Sequence, residues 1–181
     1  KGTSTLFLFH FRGGGDAPEY KIIREIYEHE DAQEEFEYEL DRALEAGIQT
    51  IIIEPTRLGD ETSRWISVGN FLHKTSVLAG LGSLICGGTW PDRGYLFLPL
   101  GAVSVVCAAV HTISWQTDPC SKYQVEGDIK RLPRLPLHSL TTSTPVVLVK
   151  KNDFRRKVLH TTVSLAAGAY CGSKIHKWYF Q

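Results

Sequence analysis

The order of apolar and polar positions changes character three times along this chain, and each change predicts a different element. In YKIIREIY, Tyr20 to Tyr27, apolar and charged residues nearly alternate, which predicts a half-buried strand. The next stretch, AQEEFEYELDRALEAG, has a helical period. Phe36, Leu40, Ala43 and Leu44 fall on one face, Asp31 is placed to cap the start and Gly47 to stop the end. IQTIIIEP then gives a β-branched run ended by Pro55, and PVVLVKK after Pro145 predicts a third strand able to pair with Ile51 to Ile53.

The middle of the chain follows neither pattern. Between Thr75 and Gln116 the only formal charges are Asp92 and Arg93. Fifteen charge-free residues run from Thr75 to Thr89, and twenty-two from Gly94 to Trp115. A helix crosses a bilayer core with about 20 apolar residues, and about 17 is the lower end. The second run meets this alone. The first meets it when Ile66 to Leu72 contribute across His73 and Lys74, or when Trp90 is counted. Neither run keeps the polar stripe of a soluble helical hairpin. Trp90, Tyr95 and Trp115 stand at the run ends, where aromatic rings favour the headgroup region, and Pro91 to Gly94 form a tight polar turn.

The fold class predicted is therefore an α+β membrane protein, with a two-helix transmembrane hairpin and a small α/β domain built from the N- and C-terminal flanks. Residues 1–19 are expected to be poorly ordered, and 20–65 to form the strand-helix-strand part of the domain. The hairpin takes 66–116, with spans at about 75–90 and 94–115 and a tip near 91–94. Residues 117–153 return to the polar phase with the third strand at about 146–150. The last helix, 154–180, has cations around a fifteen-residue apolar middle, Val158 to Gly172, and is expected to lie at the interface or pack on the hairpin.

Within the apolar runs, small residues recur every four positions: Ala79, Ser83 and Gly87 in the first, Ser104, Ala108 and Thr112 in the second. Helices in lipid gain little from burying more apolar area and associate through such faces, so these six are the helix-packing candidates. His111, one turn from Cys107 and one from Trp115, is read as a lone, neutral, hydrogen-bonded structural residue.

Composition adds little to this division. The 181 residues carry a formal net charge of zero, which gives no pointer to nucleic acid. The acidic residues of the predicted helix read as a solvated face. Cys86, Cys107, Cys120 and Cys171 stand singly, without the spacing of a zinc site or a disulfide framework. Hydrolase, metalloprotease, nucleotide-loop and dinucleotide signatures are missing, and RGGGD lacks the Lys-Ser/Thr of a phosphate loop. No catalytic, cofactor-binding or metal-binding residue is assigned.

Long stretches nevertheless resemble one family. FEYELDRALEAG, IIIEPTRLGDETSRWISVGNFLHKTSVLAG, ISWQTDPCSKYQVE and LPLHSLTTSTPVVLVKKND followed by RRKVLHTTVSLAA are similar, in order, to the transmembrane protein 11 family of mitochondrial morphology regulators. The resemblance fades over the first nineteen residues and from Leu84 to Leu98. It implies a non-enzymatic, multi-pass mitochondrial membrane protein, inner membrane favoured over outer, that organises morphology and cristae. The partners it implies are membrane lipid, proteins of the contact-site and cristae-organising complex, mitophagy receptors in an outer-membrane setting, and further copies of the chain. Arg64, Lys74, Lys122, Lys130 and Arg131 outnumber Arg93 of the tip, so the positive-inside tendency puts both tails on the more negative side. The competing expectation is a small membrane enzyme or carrier built around His111.

Overall fold

In the computed structural model, which describes residues 20–24, 32–127 and 145–180, a four-stranded sheet packs at one end of three long helices. The elements are β1 (Tyr20–Ile23), α1 (Ala32–Glu45), β2 (Thr50–Ile53), α2 (Thr56–Thr89), α3 (Gly94–Trp115), a 3-10 turn (Pro119–Lys122), β3 (Tyr123–Val125), β4 (Val146–Lys150) and α4 (Phe154–Phe180). The sheet order is β1-β2-β4-β3. β1 runs parallel to β2, with α1 as the crossover, and β4 lies antiparallel to both β2 and β3. Ile51 stands opposite Leu148, and Ile53 opposite Val146.

The sheet holds because its central strands are covered on both faces. Ile51, Ile53 and Leu148 join Phe36, Leu40, Ala43 and Leu44 of α1 in one core. Side chains alternate along a strand, so Ile52 and Val147 point to the other face, where they too are buried. α1 ends at Gly47, whose φ of 67° is left-handed, while the Gly47 and Ile48 amides return to the carbonyls of Leu44 and Ala43. A side chain there would be strained and would press on Lys150.

The predicted two-helix transmembrane hairpin is overturned. Among the described residues one helix, Gly94–Trp115, is long and apolar enough to cross a membrane. Thr75 to Thr89 is no helix of its own but the second half of the 34-residue α2, whose first half carries Arg57, Asp60, Glu61 and Arg64. Fifteen residues are too few, and extending the run backwards brings in His73 and Lys74. α4 also packs against both α2 and α3, so the unit is a three-helix bundle. The α+β character stays, with four α-helices and a small sheet.

Residues 1–19, the Asp31 cap and residues 128–144, with Lys130 and Arg131, lie outside the described residues.

Candidate functional site

The three-helix junction is lined by small and polar side chains, arranged in layers. Nearest the sheet, the Trp65 and Trp115 rings stack with centroids 4.3 Å apart, and the Trp115 indole donates to the Trp65 carbonyl at 3.2 Å. Gly69 makes room for this pair, because a Cβ there would stand 2.7 Å from the Trp115 ring. Asn70 ties the layer sideways: it exchanges hydrogen bonds with Gln124 of β3 and accepts one from Arg156 of α4. The layer fixes the bundle to the sheet.

One turn further on, His73 of α2, His111 of α3 and His160 of α4 converge, with ring centroids 4.9 to 6.2 Å apart. All three are buried, and His111 is not alone, contrary to its reading as a single structural histidine. His160 Nδ1 lies 3.1 Å from the Arg156 carbonyl, whereas Nδ1 of His73, Nδ1 of His111 and Nε2 of His160 have no hydrogen-bond partner among the described residues. The rings meet edge to face or tilted, and among the described residues no group of three His, Cys, Asp or Glu is arranged to hold a metal ion. Separations of 35 residues or more kept this cluster invisible to spacing arguments.

The next layer is made of hydroxyls. Ser104 donates to the Ser76 carbonyl at 2.8 Å, and the Ser164 hydroxyl lies 2.7 Å from that of Ser76 and 3.1 Å from that of Ser104. Each helix contributes one serine. Above them Ser83 donates to the Phe97 carbonyl at 2.8 Å, Gly101 gives space to Cys171, and the Tyr170 hydroxyl donates to the Gly87 carbonyl at 2.5 Å.

The packing candidates can now be placed. Ala79, Ser83 and Gly87 are buried on the inner face of α2, against α3 and α4 of the same chain, and Ser104 and Ala108 are buried on α3. Thr112 is exposed, and with Ala108 it lines an open groove of about 600 Å³ between α3 and α4. Gly80 and Gly101, outside both stripes, allow equally close approaches. The outer face of α3 is apolar and exposed at Val103, Val106, Val110 and Ile113.

Where the bundle meets the sheet, Cys120 and Tyr123 are buried. Burial, helped by the carboxylates of Asp118 and Asp41, pushes the Cys120 thiol up to about 12. Burial and the neighbouring Cys120 also raise the Tyr123 phenol, which donates to the Ile48 carbonyl at 2.7 Å. Neither group is a nucleophile at neutral pH.

A hydroxyl-lined junction of three helices, one of them long and apolar enough to cross a membrane, places the chain in a class of small α+β proteins built on a tightly packed helix bundle. The family described as mitochondrial morphogenesis regulator matches residues 19–176, and the chain belongs to it. Its relatives include transmembrane protein 11, mitochondrial, of Danio rerio, 57% identical over 170 residues and covering 93% of this chain and 91% of the relative. The human protein of that name is 57% identical over 160 residues, with 87% and 83% covered, and the Bos taurus protein 58% over 158, with 86% and 82%. No solved structure matches.

Proposed function

We propose that this protein is a non-enzymatic, multi-pass scaffold of the mitochondrial inner membrane, where it organises cristae by seating the bundle of α2, α3 and α4, with α3 as its span-length apolar helix, in the bilayer and holding the sheet domain on one side. One observation carries the reading: the buried hydroxyls of the junction bond to each other and to carbonyls of facing helices, while the face of α3 turned outward is apolar. Groups that stabilise helix packing are not free for chemistry, and an apolar outer face of span length suits lipid. The sheet and α1 form the docking surface for proteins of the contact-site and cristae-organising machinery. Membership of a morphogenesis-regulator family supports the same reading.

The test uses the full chain with a C-terminal tag, expressed at its normal level in place of the untagged chain. Resistance to carbonate, protease cleavage only after the outer membrane is opened, and disordered cristae on depletion are expected. Cleavage in intact mitochondria would move the protein to the outer membrane and favour an adaptor for mitophagy receptors. Release by carbonate would exclude α3 as a span.

A further inference from the structure

Positive charge gathers at one place in a chain whose formal net charge is zero. A hollow of about 490 Å³ between the ends of β4 and the 3-10 turn and the start of α4 is lined by Lys122, Lys150, Lys151 and Lys157, with Asp153 as its only carboxylate among the described residues. A smaller hollow of about 210 Å³ shares Lys122, Lys151 and Asp153 and adds Arg156 and Ser121. Five cations therefore face one anion. Asp153 is already engaged by Arg156 at 3.8 Å and Lys157 at 3.6 Å, and Lys150 donates to the Gly47 carbonyl at 3.1 Å. Lys122 and Lys151 have no ion pair among the described residues, although the Lys151 amide bonds the Lys122 carbonyl at 2.8 Å and holds their backbones side by side. The Ser121 hydroxyl, buried in the smaller hollow, has no hydrogen-bond partner among the described residues.

Cations that line one hollow make it a favourable place for an anion. The depth of the site says which anion. Lys157 Nζ donates to the carbonyl of Gln116 at 3.4 Å, and Gln116 is the residue that follows the last turn of α3. The hollow thus borders the end of the membrane-crossing helix, beside the stacked Trp65 and Trp115, at the level where phospholipid headgroups lie. A soluble anion would have no need of that position.

We propose that this hollow is a binding site for the phosphate of an anionic phospholipid headgroup, held by Lys122, Lys151 and Lys157, with the Ser121 hydroxyl as a further donor. The inference rests on α3 as the span, and α3 is tested separately by the carbonate extraction above. Bound lipid would fix the depth of the sheet domain against the membrane surface.

Native mass spectrometry of the full chain, released in detergent with phosphatidic acid or phosphatidylcholine added, measures the preference directly. Retention of phosphatidic acid over phosphatidylcholine is expected, falling about fivefold for each lysine removed in Lys122→Gln and Lys151→Gln. The paired variant Lys122→Arg with Lys151→Arg keeps the charge and should keep the preference, which separates lost binding from lost folding. Equal retention of the two lipids, or an equal loss when Lys21 and Arg57 on distant surfaces are changed to Gln, would overturn the proposal. Displacement of the lipid by millimolar inorganic phosphate would assign the site to a soluble anion instead and overturn the lipid source.

Discussion

At Gly87 the chain needs a residue without a side chain. A Cβ there would stand 2.3 Å from the Tyr170 ring, and the same ring's hydroxyl is bonded to the Gly87 carbonyl. Gly87→Ala should therefore cost about 1–3 kcal/mol through overpacking. Its neighbour is a built-in control: a Cβ at Gly88 meets nothing within 4 Å, so Gly88→Ala should stabilise the helix by about 0.5–1 kcal/mol. Thermal unfolding of both variants in one detergent checks the pair, and equal effects would mean that α4 does not pack there. Cys120 makes a second prediction. Its thiol is raised from the ordinary 9.0 to about 12, so the fold binds that proton more tightly than the unfolded chain does. The associated stability is complete below about pH 9 and is lost as pH rises towards 12. Urea unfolding across pH 8 to 11 should show a steeper loss in the wild type than in Cys120→Val, which lacks the group. Alkylation of Cys120 should be slow at pH 8 in the folded protein and fast in urea. The sequence showed Cys120 only as a solitary cysteine; the burial that raises it comes from α1, far away in the chain, together with nearby Tyr123.

The elements differ in how openly the sequence writes them. α1 is legible because Phe36, Leu40, Ala43 and Leu44 recur at 3.6-residue spacing and Gly47 permits the left-handed stop. β2 and β4 are legible from their β-branched runs and bounding prolines. The strand that escapes is β3, three residues long, which forms because β4 offers it a free edge. α2 misleads for a different reason: its charge change at Lys74 imitates a boundary, but nothing interrupts the backbone there. The serine layer belongs to this scale, since it joins three helices. Ser104→Ala removes the donor to the Ser76 carbonyl and should cost about 0.5–1.5 kcal/mol, because a buried hydrogen bond between helices is lost while the carbonyl keeps its place in the helical ladder. In a double-mutant cycle Ser104→Ala and Ser164→Ala should couple by about 0.5–3 kcal/mol, and strict additivity would mean that the hydroxyls do not meet.

For the whole molecule, the proposed place in a membrane rests on α3. Val106 and Ile113 are 60% and 78% exposed on its outer face, so Val106→Arg with Ile113→Arg places two charges where lipid is expected. A central Arg costs about 2.5–3.5 kcal/mol on insertion scales, and the double variant should become extractable by carbonate. Continued resistance would show that this face is turned to protein. The small-residue stripe of α2 cannot serve contacts between copies, because α3 and α4 of the same chain already cover it.

The sequence by itself determined what depends on neighbours in the chain: the period of α1, the strand content of β2 and β4, the apolar length of α3 and the family to which long unbroken stretches belong. These signals are local, and backbone hydrogen bonding or bilayer thickness reads them directly. The tertiary structure alone decided which residues meet: three histidines and three serines from three helices, and five cations around one carboxylate. Such meetings follow from how α2, α3 and α4 are aligned, and that alignment is set by where Gly69, Gly80, Gly87 and Gly101 let side chains of the facing helices approach.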